Sequence, residues 1–510
     1  MIASLYPASM VWMVAMTILW FWFDERKRRV GAARVAALFG AGLLLYIPAL
    51  LACEGGLLYK LAWIVPRDVL TIFIAVIVSG YIKRNRTFLA TLAGFLLFAS
   101  VFYWGMLERG VNFAQGLEPS AELLIDVATI DTPATIANPA NTLASLQTAF
   151  PGLTFTPLLE TIARPDATEL DEYLTVDIPR SRLHGLNKLV EQLSASPLVD
   201  HVEFNERVRT HQVKQPAKPK PGPFGFNDPR AGEQWALRAL NLKDYTEWVR
   251  KQTPKKQVLL VMIDTGVNAK HEDLVGHYHS VDSGSDSDAR GHGTHCAGIA
   301  AAVSNNGKGM ASLAGGKDWL RVASVRVFED SGYTSQARVL AGMVKAADAG
   351  ADVISMSLGG PSEEGRDLAY QRAVDYIVDN GGIVVVSAGN RRQSARFSSP
   401  ANCERVIAVS AIAADGHRAP FSNTVDELKL GITAPGASVL STFGDGYREL
   451  SGTSMAAPYV SGLVAMMKAL RPELGPEEAW KILDRTGSKT PEGKETGRLI
   501  QPLKALKAVR

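Results

Sequence analysis

Four long apolar runs dominate the first 107 residues, and mixed apolar and polar patterns replace them afterwards. The runs cover residues 2–23, 35–53, 61–82 and 88–107. A helix crosses a bilayer with roughly 20 apolar residues, and the first, second and fourth runs are long enough. Arg67 and Asp68 interrupt the third run, whose charge-free part from Val69 is short enough to be re-entrant. We therefore predict a transmembrane region of about four helices over residues 1–108.

Basic residues between these runs predict their orientation. One cluster comprises residues 26–29 with Arg34, and the other comprises Lys83, Arg84 and Arg86. Cytoplasmic loops carry an excess of Lys and Arg, so both clusters are predicted to face the cytoplasm. Everything after the fourth run is then expected on the non-cytoplasmic side of a plasma or inner membrane. A cleaved signal peptide is the alternative for the first run, but no basic residues precede it.

A strand, a helix and a second strand are predicted between residues 109 and 213. Residues 173–178 alternate like a strand, residues 183–193 repeat Leu and Val at helical spacing, and residues 199–205 alternate again. Residues 118–151 are rich in Ala, Thr and Pro, and we expect them to be loosely ordered. The segment contains none of the catalytic patterns described below, so a spacer domain is one interpretation of it.

A Pro-rich, basic linker over residues 214–226 follows, which we expect to be extended, exposed and open to proteolysis. Beyond it, a wholly apolar run covers residues 258–263, and further strands are predicted at residues 352–356 and 382–386. Strands buried on both faces of a parallel sheet have this composition. The net charge of +3 gives no sign of a nucleic-acid partner. The three cysteines do not form a disulfide framework.

An acid, a base and a nucleophile follow one another along the sequence, each within a short motif rich in small residues. Asp264 follows the apolar run at residues 258–263, His292 lies in Gly-His-Gly-Thr-His, and Ser454 lies in Ser-Gly-Thr-Ser-Met-Ala-Ala-Pro. In a serine hydrolase the Asp orients the His, the His takes the Ser proton, and the Ser attacks a carbonyl. A metal site at His292 and His295 is the alternative, but further ligands at zinc spacing are not evident. His295 is instead expected to be buried and hydrogen-bonded, and Cys296 to be a small core residue.

An oxyanion formed by such an attack needs hydrogen-bond donors. The backbone N–H of Ser454, at the start of an apolar helix, is one candidate. The side-chain amide of Asn390 is the other, because Ser-Ala-Gly-Asn follows the predicted strand at residues 382–386. These four residues, Asp264, His292, Asn390 and Ser454, form the predicted catalytic set.

The four motifs around Asp264, His292, Asn390 and Ser454, taken in this order, resemble those of the subtilase family of serine peptidases. The resemblance covers about residues 227–486. The resemblance implies an α/β fold with a doubly wound, mainly parallel sheet. The strand-helix-strand segment resembles the inhibitory propeptide of that family, a small α+β domain, and the apolar runs add an all-α transmembrane region. The predicted organisation is a transmembrane region (1–108), a propeptide-like inhibitory domain (109–213), a linker (214–226) and a peptidase domain (227–510).

The resemblance also implies that a peptide substrate is added as a strand between two edges of the peptidase domain. The residues predicted to bind it are Ser357, Leu358 and Gly359 on one edge, and Ser331, Gly332 and Tyr333 on the other. Many subtilases bind structural calcium, and Asp273 and Asn306 are the candidate ligands here. No cofactor is required for the chemistry itself.

The sequence therefore predicts a membrane-anchored serine endopeptidase, made as a self-inhibited and self-processing precursor. One alternative is a polytopic membrane receptor or sensor whose peptidase-like domain only binds peptides. The intact catalytic set argues against it. The other alternative is a non-peptidase acyl hydrolase on the same scaffold, and the two predicted edges for a peptide strand argue against that one.

Overall fold

A computed structural model of the chain describes residues 117, 121–127, 139–159, 170, 172–179, 183, 186–210, 225–242, 244–316, 318–362 and 368–509. The chain divides into two compact units, which are residues 1–115 with 178–192, and residues 116–177 with 193–510. The four apolar runs and most of the linker lie outside the described residues. Among the described residues, none of the helices combines the length and the apolar character needed to cross a membrane.

An antiparallel four-stranded sheet, in the order β2-β3-β1-β4, forms in the predicted propeptide-like segment. The elements of this segment are β1 (Leu123–Val127), α1 (Pro139–Ala149), β2 (Thr154–Pro157), β3 (Tyr173–Asp177), α2 (Leu186–Ser194), β4 (Val199–Phe204) and β5 (Arg207–Thr210). The predicted strand, helix and strand correspond to β3, α2 and β4. The expectation of loose order in residues 118–151 was wrong for β1 and α1. The side chains of Leu123, Leu124 and Ile125 are fully buried in β1, which lies between β3 and β4.

A six-stranded sheet, in the order β14-β13-β11-β9-β6-β7, forms the centre of the part that follows the linker. Every pairing in it is parallel. The elements are α3 (Trp235–Ala239), α4 (Tyr245–Arg250), β6 (Val258–Asp264), α5 (His292–Ala301), β7 (Leu320–Arg326), β8 (Thr334–Ser335), α6 (Gln336–Asp348), β9 (Val353–Met356), β10 (Leu358–Pro361), α7 (Leu368–Asp379), β11 (Ile383–Ser387), β12 (Ser398–Ser399), β13 (Val406–Ile412), β14 (Gly431–Pro435), β15 (Val439–Phe443), β16 (Gly446–Leu450), α8 (Thr453–Leu470), α9 (Pro476–Thr486), α10 (Gly493–Thr496) and α11 (Pro502–Val509).

Two hydrophobic cores lie on opposite faces of this sheet, as expected for a doubly wound fold. In β6, Leu260 and Met262 belong to one core, whereas Val261 and Ile263 belong to the other. This alternation follows from the period of two along a strand, and it explains why the run has no polar positions. Residues of α5, α8, α9 and α11 fill the first core, and residues of α6 and α7 fill the second.

Three neighbouring strands end at the same edge of the sheet, and candidate site residues lie at or shortly after their ends. The strands β11, β9 and β6 are adjacent and parallel, so their carboxyl ends meet at that edge, where open α/β sheets place their sites. The helices α5 and α8 pack together in the first core. Gly462 of α8 permits this close approach, because a Cβ there would lie 2.5 Å from the Ala300 carbonyl oxygen.

Candidate active site

A buried acid–base pair stands at the carboxyl end of β6. Asp264 is the last residue of β6, and His292 is the first residue of α5. The two atoms Asp264 Oδ1 and His292 Nδ1 are 2.7 Å apart, and both side chains are almost fully buried. The Thr265 N–H also donates to Asp264 Oδ1, at 2.7 Å. The hydrogen bond between His292 and Asp264 assigns the imidazole proton to Nδ1. His292 Nε2 has no partner among the described residues.

The surroundings of His292 raise its pKa well above the usual value. Burial by itself disfavours the charged imidazolium and lowers the pKa, but the Asp264 carboxylate and Cys296 act in the opposite direction and prevail. Cys296 lies one helical turn after His292 and is fully buried, and burial raises the pKa of its thiol. His295 is buried and bonds through Nε2 to the carbonyls of Val439 and Arg448. Burial lowers the pKa of His295 to about 3, which suits its expected supporting role.

The nucleophile candidate is the second residue of α8. The hydroxyl of Ser454 donates to the Ser357 carbonyl at 2.9 Å, and the Ser357 hydroxyl donates to the Ser454 carbonyl at 2.8 Å. The thiol of Cys296 connects this residue to the base, because its Sγ is 3.4 Å from the Ser454 carbonyl oxygen and 3.9 Å from His292 Nδ1. The Ser454 hydroxyl must therefore turn from Ser357 towards His292 Nε2 before a proton can pass between them.

The amide of Asn390 is held in one orientation by Thr453. Its Oδ1 accepts hydrogen bonds from the backbone N–H and the hydroxyl of Thr453, each at 3.0 Å. This fixes which end of the amide faces Ser454, the residue after Thr453. Asn390 Nδ2 is buried and has no partner among the described residues. Asn390 Nδ2 and the backbone N–H of Ser454 are the two candidate donors to an oxyanion.

Two supporting residues of this site carry no signal in the sequence patterns. Asn423 holds the loop around Asn390, since its Oδ1 accepts from the Arg391 N–H at 2.8 Å and its Nδ2 donates to the Ala388 carbonyl at 2.9 Å. Asp288 holds the start of α5. It accepts from the N–H groups of Gly291 and Thr294 and from the hydroxyls of Thr265 and Thr294, at 2.7 to 2.9 Å. Asn423 bonds to backbone groups 32 and 35 positions away, and Asp288 joins the start of α5 to the hydroxyl of Thr265, 23 positions earlier.

A strand from the propeptide-like segment lies between two edges of the catalytic part. This strand, β5, pairs antiparallel with β10, where Thr210 lies opposite Leu358 and Arg209 lies opposite Gly359. Its other side pairs antiparallel with β8. The strand order is therefore β12-β10-β5-β8, with β5 in an interior position. The chain itself supplies the strand that fills the predicted peptide cleft.

The second edge of this cleft differs from its prediction. The residues of β8 that pair with β5 are Thr334 and Ser335, whereas the predicted Ser331 and Gly332 lie in the preceding turn. The Gly332 N–H donates to the Glu329 carbonyl at 2.9 Å, and Gly332 has a φ of +86°, which favours glycine. This turn takes the two residues out of the strand.

The predicted calcium ligands are already satisfied by protein donors. Asp273 Oδ1 accepts from Asn306 Nδ2 at 2.9 Å, and Asp273 Oδ2 accepts from the Met310 N–H at 2.8 Å and the Tyr447 hydroxyl at 2.9 Å. The side-chain oxygen of Asn306 accepts from the Lys308 N–H. Calcium requires six to eight oxygen atoms directed at one point. Because N–H and O–H groups surround Asp273 instead, these residues do not fit a calcium site.

The geometry agrees with comparisons with known proteins. The profile of the Subtilase family matches residues 255–498. Thermitase of Thermoactinomyces vulgaris is 39% identical over 217 residues, which cover 41% of this chain and 74% of thermitase. The chain belongs to the subtilase family. A thermophilic serine proteinase of Bacillus sp. (strain AK1) is 38% identical over 230 residues, 44% of this subtilase, which spans 55% of that protein's length.

A solved structure extends the similarity beyond the matched region. The crystal structure of fervidolysin from Fervidobacterium pennivorans, described as a keratinolytic enzyme related to subtilisin, has a TM-score of 0.60 and 25% sequence identity. The alignment covers 77% of this subtilase and 61% of the fervidolysin chain. The parallel sheet therefore has the subtilisin-like α/β fold. The chain is a subtilisin-like serine endopeptidase.

Proposed function

We propose that this subtilase is a membrane-anchored endopeptidase that is made as a self-inhibited, self-processing precursor. The position of β5 between β10 and β8 is the observation that supports the inhibition. A peptide strand that pairs on both sides gains affinity from backbone hydrogen bonds and choice from side-chain pockets. The same cleft would accept a substrate strand after β5 leaves.

The chemistry follows from the residues that surround Ser454. The Ser454 hydroxyl attacks the scissile carbonyl carbon while His292 Nε2 takes its proton. Asp264 keeps the imidazole in the required tautomer and stabilises the imidazolium. Asn390 Nδ2 and the Ser454 N–H donate to the oxyanion. The imidazolium then gives the proton to the leaving amine, and a water molecule, activated by the same histidine, hydrolyses the acyl-enzyme.

Contacts at two helix N-termini support docking of the inhibitory segment. The Glu203 carboxylate accepts from the Ala369 N–H of α7 at 2.8 Å and from the Gln336 side chain at 3.0 Å. Asn205 Oδ1 accepts from the Ala337 N–H of α6 at 3.1 Å. Unpaired N–H groups at a helix N-terminus favour acceptors and negative charge. These contacts lie directly before β5 and would fix its register in the cleft.

The register of β5 suggests where the precursor is cut. Thr210 lies opposite Leu358, and Ser357 precedes Leu358 and bonds to Ser454. One further residue of the same antiparallel register would bring His211 opposite Ser357. We therefore infer cleavage of the bond between His211 and Gln212, at the start of the Pro-rich linker. His211 itself lies outside the described residues.

The apolar runs in residues 1–107 support anchoring, because several have the length that spans a bilayer. The basic clusters between them support placing the peptidase part on the non-cytoplasmic side. The cut after His211 would separate these runs in sequence from the catalytic residues. The catalytic part would afterwards either stay docked on the inhibitory segment or leave the membrane.

The test compares wild type with Ser454→Ala in membranes, each with a C-terminal tag. Ser283→Ala, a change at an exposed serine, is the control. We expect wild type and Ser283→Ala to give a tagged fragment that begins at Gln212, and Ser454→Ala to remain full-length. If all three stay intact and none hydrolyses casein, the peptidase proposal fails, and a peptide-binding receptor or sensor becomes the better explanation. Equal cutting of all three would refute self-processing.

A further inference from the structure

Tyr333 is one of the few large apolar side chains exposed in the described residues. It is 42% exposed and directly precedes β8. Two arginines of β5 approach its ring. The guanidinium carbon of Arg209 is 5.1 Å from the ring centroid, and that of Arg207 is 5.9 Å from it. Both distances lie within the range of a cation–π interaction.

The strand geometry explains why the Tyr333 ring contacts both Arg207 and Arg209. Successive side chains of a strand alternate between its faces, so Arg207 and Arg209 share a face while Val208 points to the other. The Val208 side chain is buried, with 2% exposure, whereas Arg209 is exposed. A substrate strand in the same register would present its alternate side chains to Tyr333 in the same way.

The carboxylates of the turn that carries Tyr333 are engaged by other arginines. Glu329 pairs with Arg338 at 2.7 Å, and Asp330 pairs with Arg326 at 3.6 Å. The Tyr333 ring is thus the group of this turn that contacts the β5 guanidinium groups. A guanidinium suits this contact, because it is planar, weakly hydrated and stacks on aromatic faces better than an ammonium group does.

We propose that Tyr333 is a specificity-determining residue that selects substrates with arginine at the positions held by Arg207 and Arg209. The substrate class is a peptide with two arginines separated by one small apolar residue, on the amino-terminal side of the cut. The proposal rests on the proposed peptidase function. It also explains how the inhibitory strand competes with substrates, since both would use the same ring.

The kinetic test uses the full-length chain and peptides with the sequence of residues 205–214. Four peptides carry Arg or Gln at the positions of Arg207 and Arg209 in all combinations. We expect the ratio of kcat/KM for Arg over Gln to be about 2–5-fold at each position in wild type and in Tyr333→Phe. The ratio falls to about 1 in Tyr333→Leu. Because each ratio compares two peptides on one enzyme, the fraction of open sites cancels.

A second measurement does not depend on catalysis. In the Ser454→Ala protein, amide hydrogen exchange of β5 is followed for Arg209→Gln, Tyr333→Leu and the combination. Arg209→Gln should speed exchange by about 2–5-fold when Tyr333 is present, and should have no effect when it is leucine.

The two measurements separate this proposal from the peptidase function. Hydrolysis without preference for Arg, or a preference that survives Tyr333→Leu, would overturn the role of Tyr333 and leave the peptidase function intact. Additive exchange effects would overturn it as well. If no peptide is cut but the exchange effects depend on each other, the peptidase function fails and arginine recognition by Tyr333 stands.

Discussion

At the scale of single residues, His292 and Asn390 each have one polar atom bound within the protein and another polar atom without a partner among the described residues. Asp264 accepts from His292 and from a backbone N–H, so its carboxyl group is held in place. His292 keeps one ring nitrogen for Asp264 and leaves the other without a partner in the described part of the chain. Asn390 Oδ1 likewise accepts from Thr453, and its Nδ2 has no partner in the described part of the chain.

The raised pKa of His292 predicts an alkaline shift of activity. Only neutral His292 can take the Ser454 proton, so kcat/KM should rise with pH through a value above the usual histidine pKa of about 6.5. The effect on stability has the opposite sign. The Asp264–imidazolium pair stabilises the folded state below about pH 6.5, and this contribution is lost as pH rises through the raised pKa.

The measurement is kcat/KM against pH for wild type and Asp264→Asn with one fluorogenic peptide. Asp264→Asn should lose about 10⁴-fold in kcat, because the imidazole then adopts the wrong tautomer. A wild-type profile with its acid limb below pH 6 would contradict the inferred effect of Asp264 on His292.

At the scale of elements, the start of α5 depends on a residue outside the helix. Gly291 precedes the helix and makes no side-chain cap, and Asp288 supplies the acceptor instead. An acceptor at a helix N-terminus satisfies N–H groups that have no partner within the helix. Because His292 is the first residue of α5, this cap also fixes the position of the His292 imidazole.

Replacing Asp288 should therefore damage both stability and activity. We expect Asp288→Ala to lower the free energy of unfolding by about 1–3 kcal/mol, since it removes an acceptor from several backbone and hydroxyl donors. The stability is measured by denaturant unfolding in a Ser454→Ala background, which prevents self-digestion, and kcat/KM is measured in the active protein. Asp330→Ala, at a side chain that is 83% exposed, is the matched control. Equal unfolding curves for the two variants would show that α5 needs no cap from Asp288.

At the scale of the whole molecule, β5 lies between β10 and β8, the two edges where a peptide substrate is expected. The acceptors at the N-termini of α6 and α7 come from Glu203 and Asn205, and β5 follows them directly. Arg372 of α7 adds an ion pair with Asp126 of β1, at 2.8 Å. Blocking of the cleft is therefore expected to depend on contacts outside it.

Weakening one of these contacts should release activity. Removing Glu203 leaves the Ala369 N–H and the Gln336 amide without their acceptor, and hydrogen bonds to charged groups contribute about 1.5–3 kcal/mol. We expect Glu203→Ala to hydrolyse an added peptide about 10–100-fold faster than wild type before any cut occurs. The readout is the initial rate of freshly made full-length chain. Glu191→Ala, at an exposed position, should match wild type, and an unchanged rate in Glu203→Ala would refute the anchoring role.

Local sequence determined the parallel strands and indicated the candidate catalytic residues. A strand buried on both faces is mostly apolar, as β6, β9 and β11 are, so these strands were predictable. Small residues surround Asp264, His292 and Ser454 in the sequence. The composition of residues 118–151 concealed β1, because burial between two strands, rather than local propensity, stabilises it.

Only the tertiary structure decided which contacts hold the site and what fills it. Folding brings Asn423 to the backbone around Asn390 and brings Asp288 to the hydroxyl of Thr265, and a single Asp or Asn in a loop has no pattern that reveals such partners. The same reason applies to Tyr333, whose two cations lie more than a hundred positions earlier in the chain. Sequence specifies groups one at a time, whereas pairing across a cleft depends on the register of distant strands.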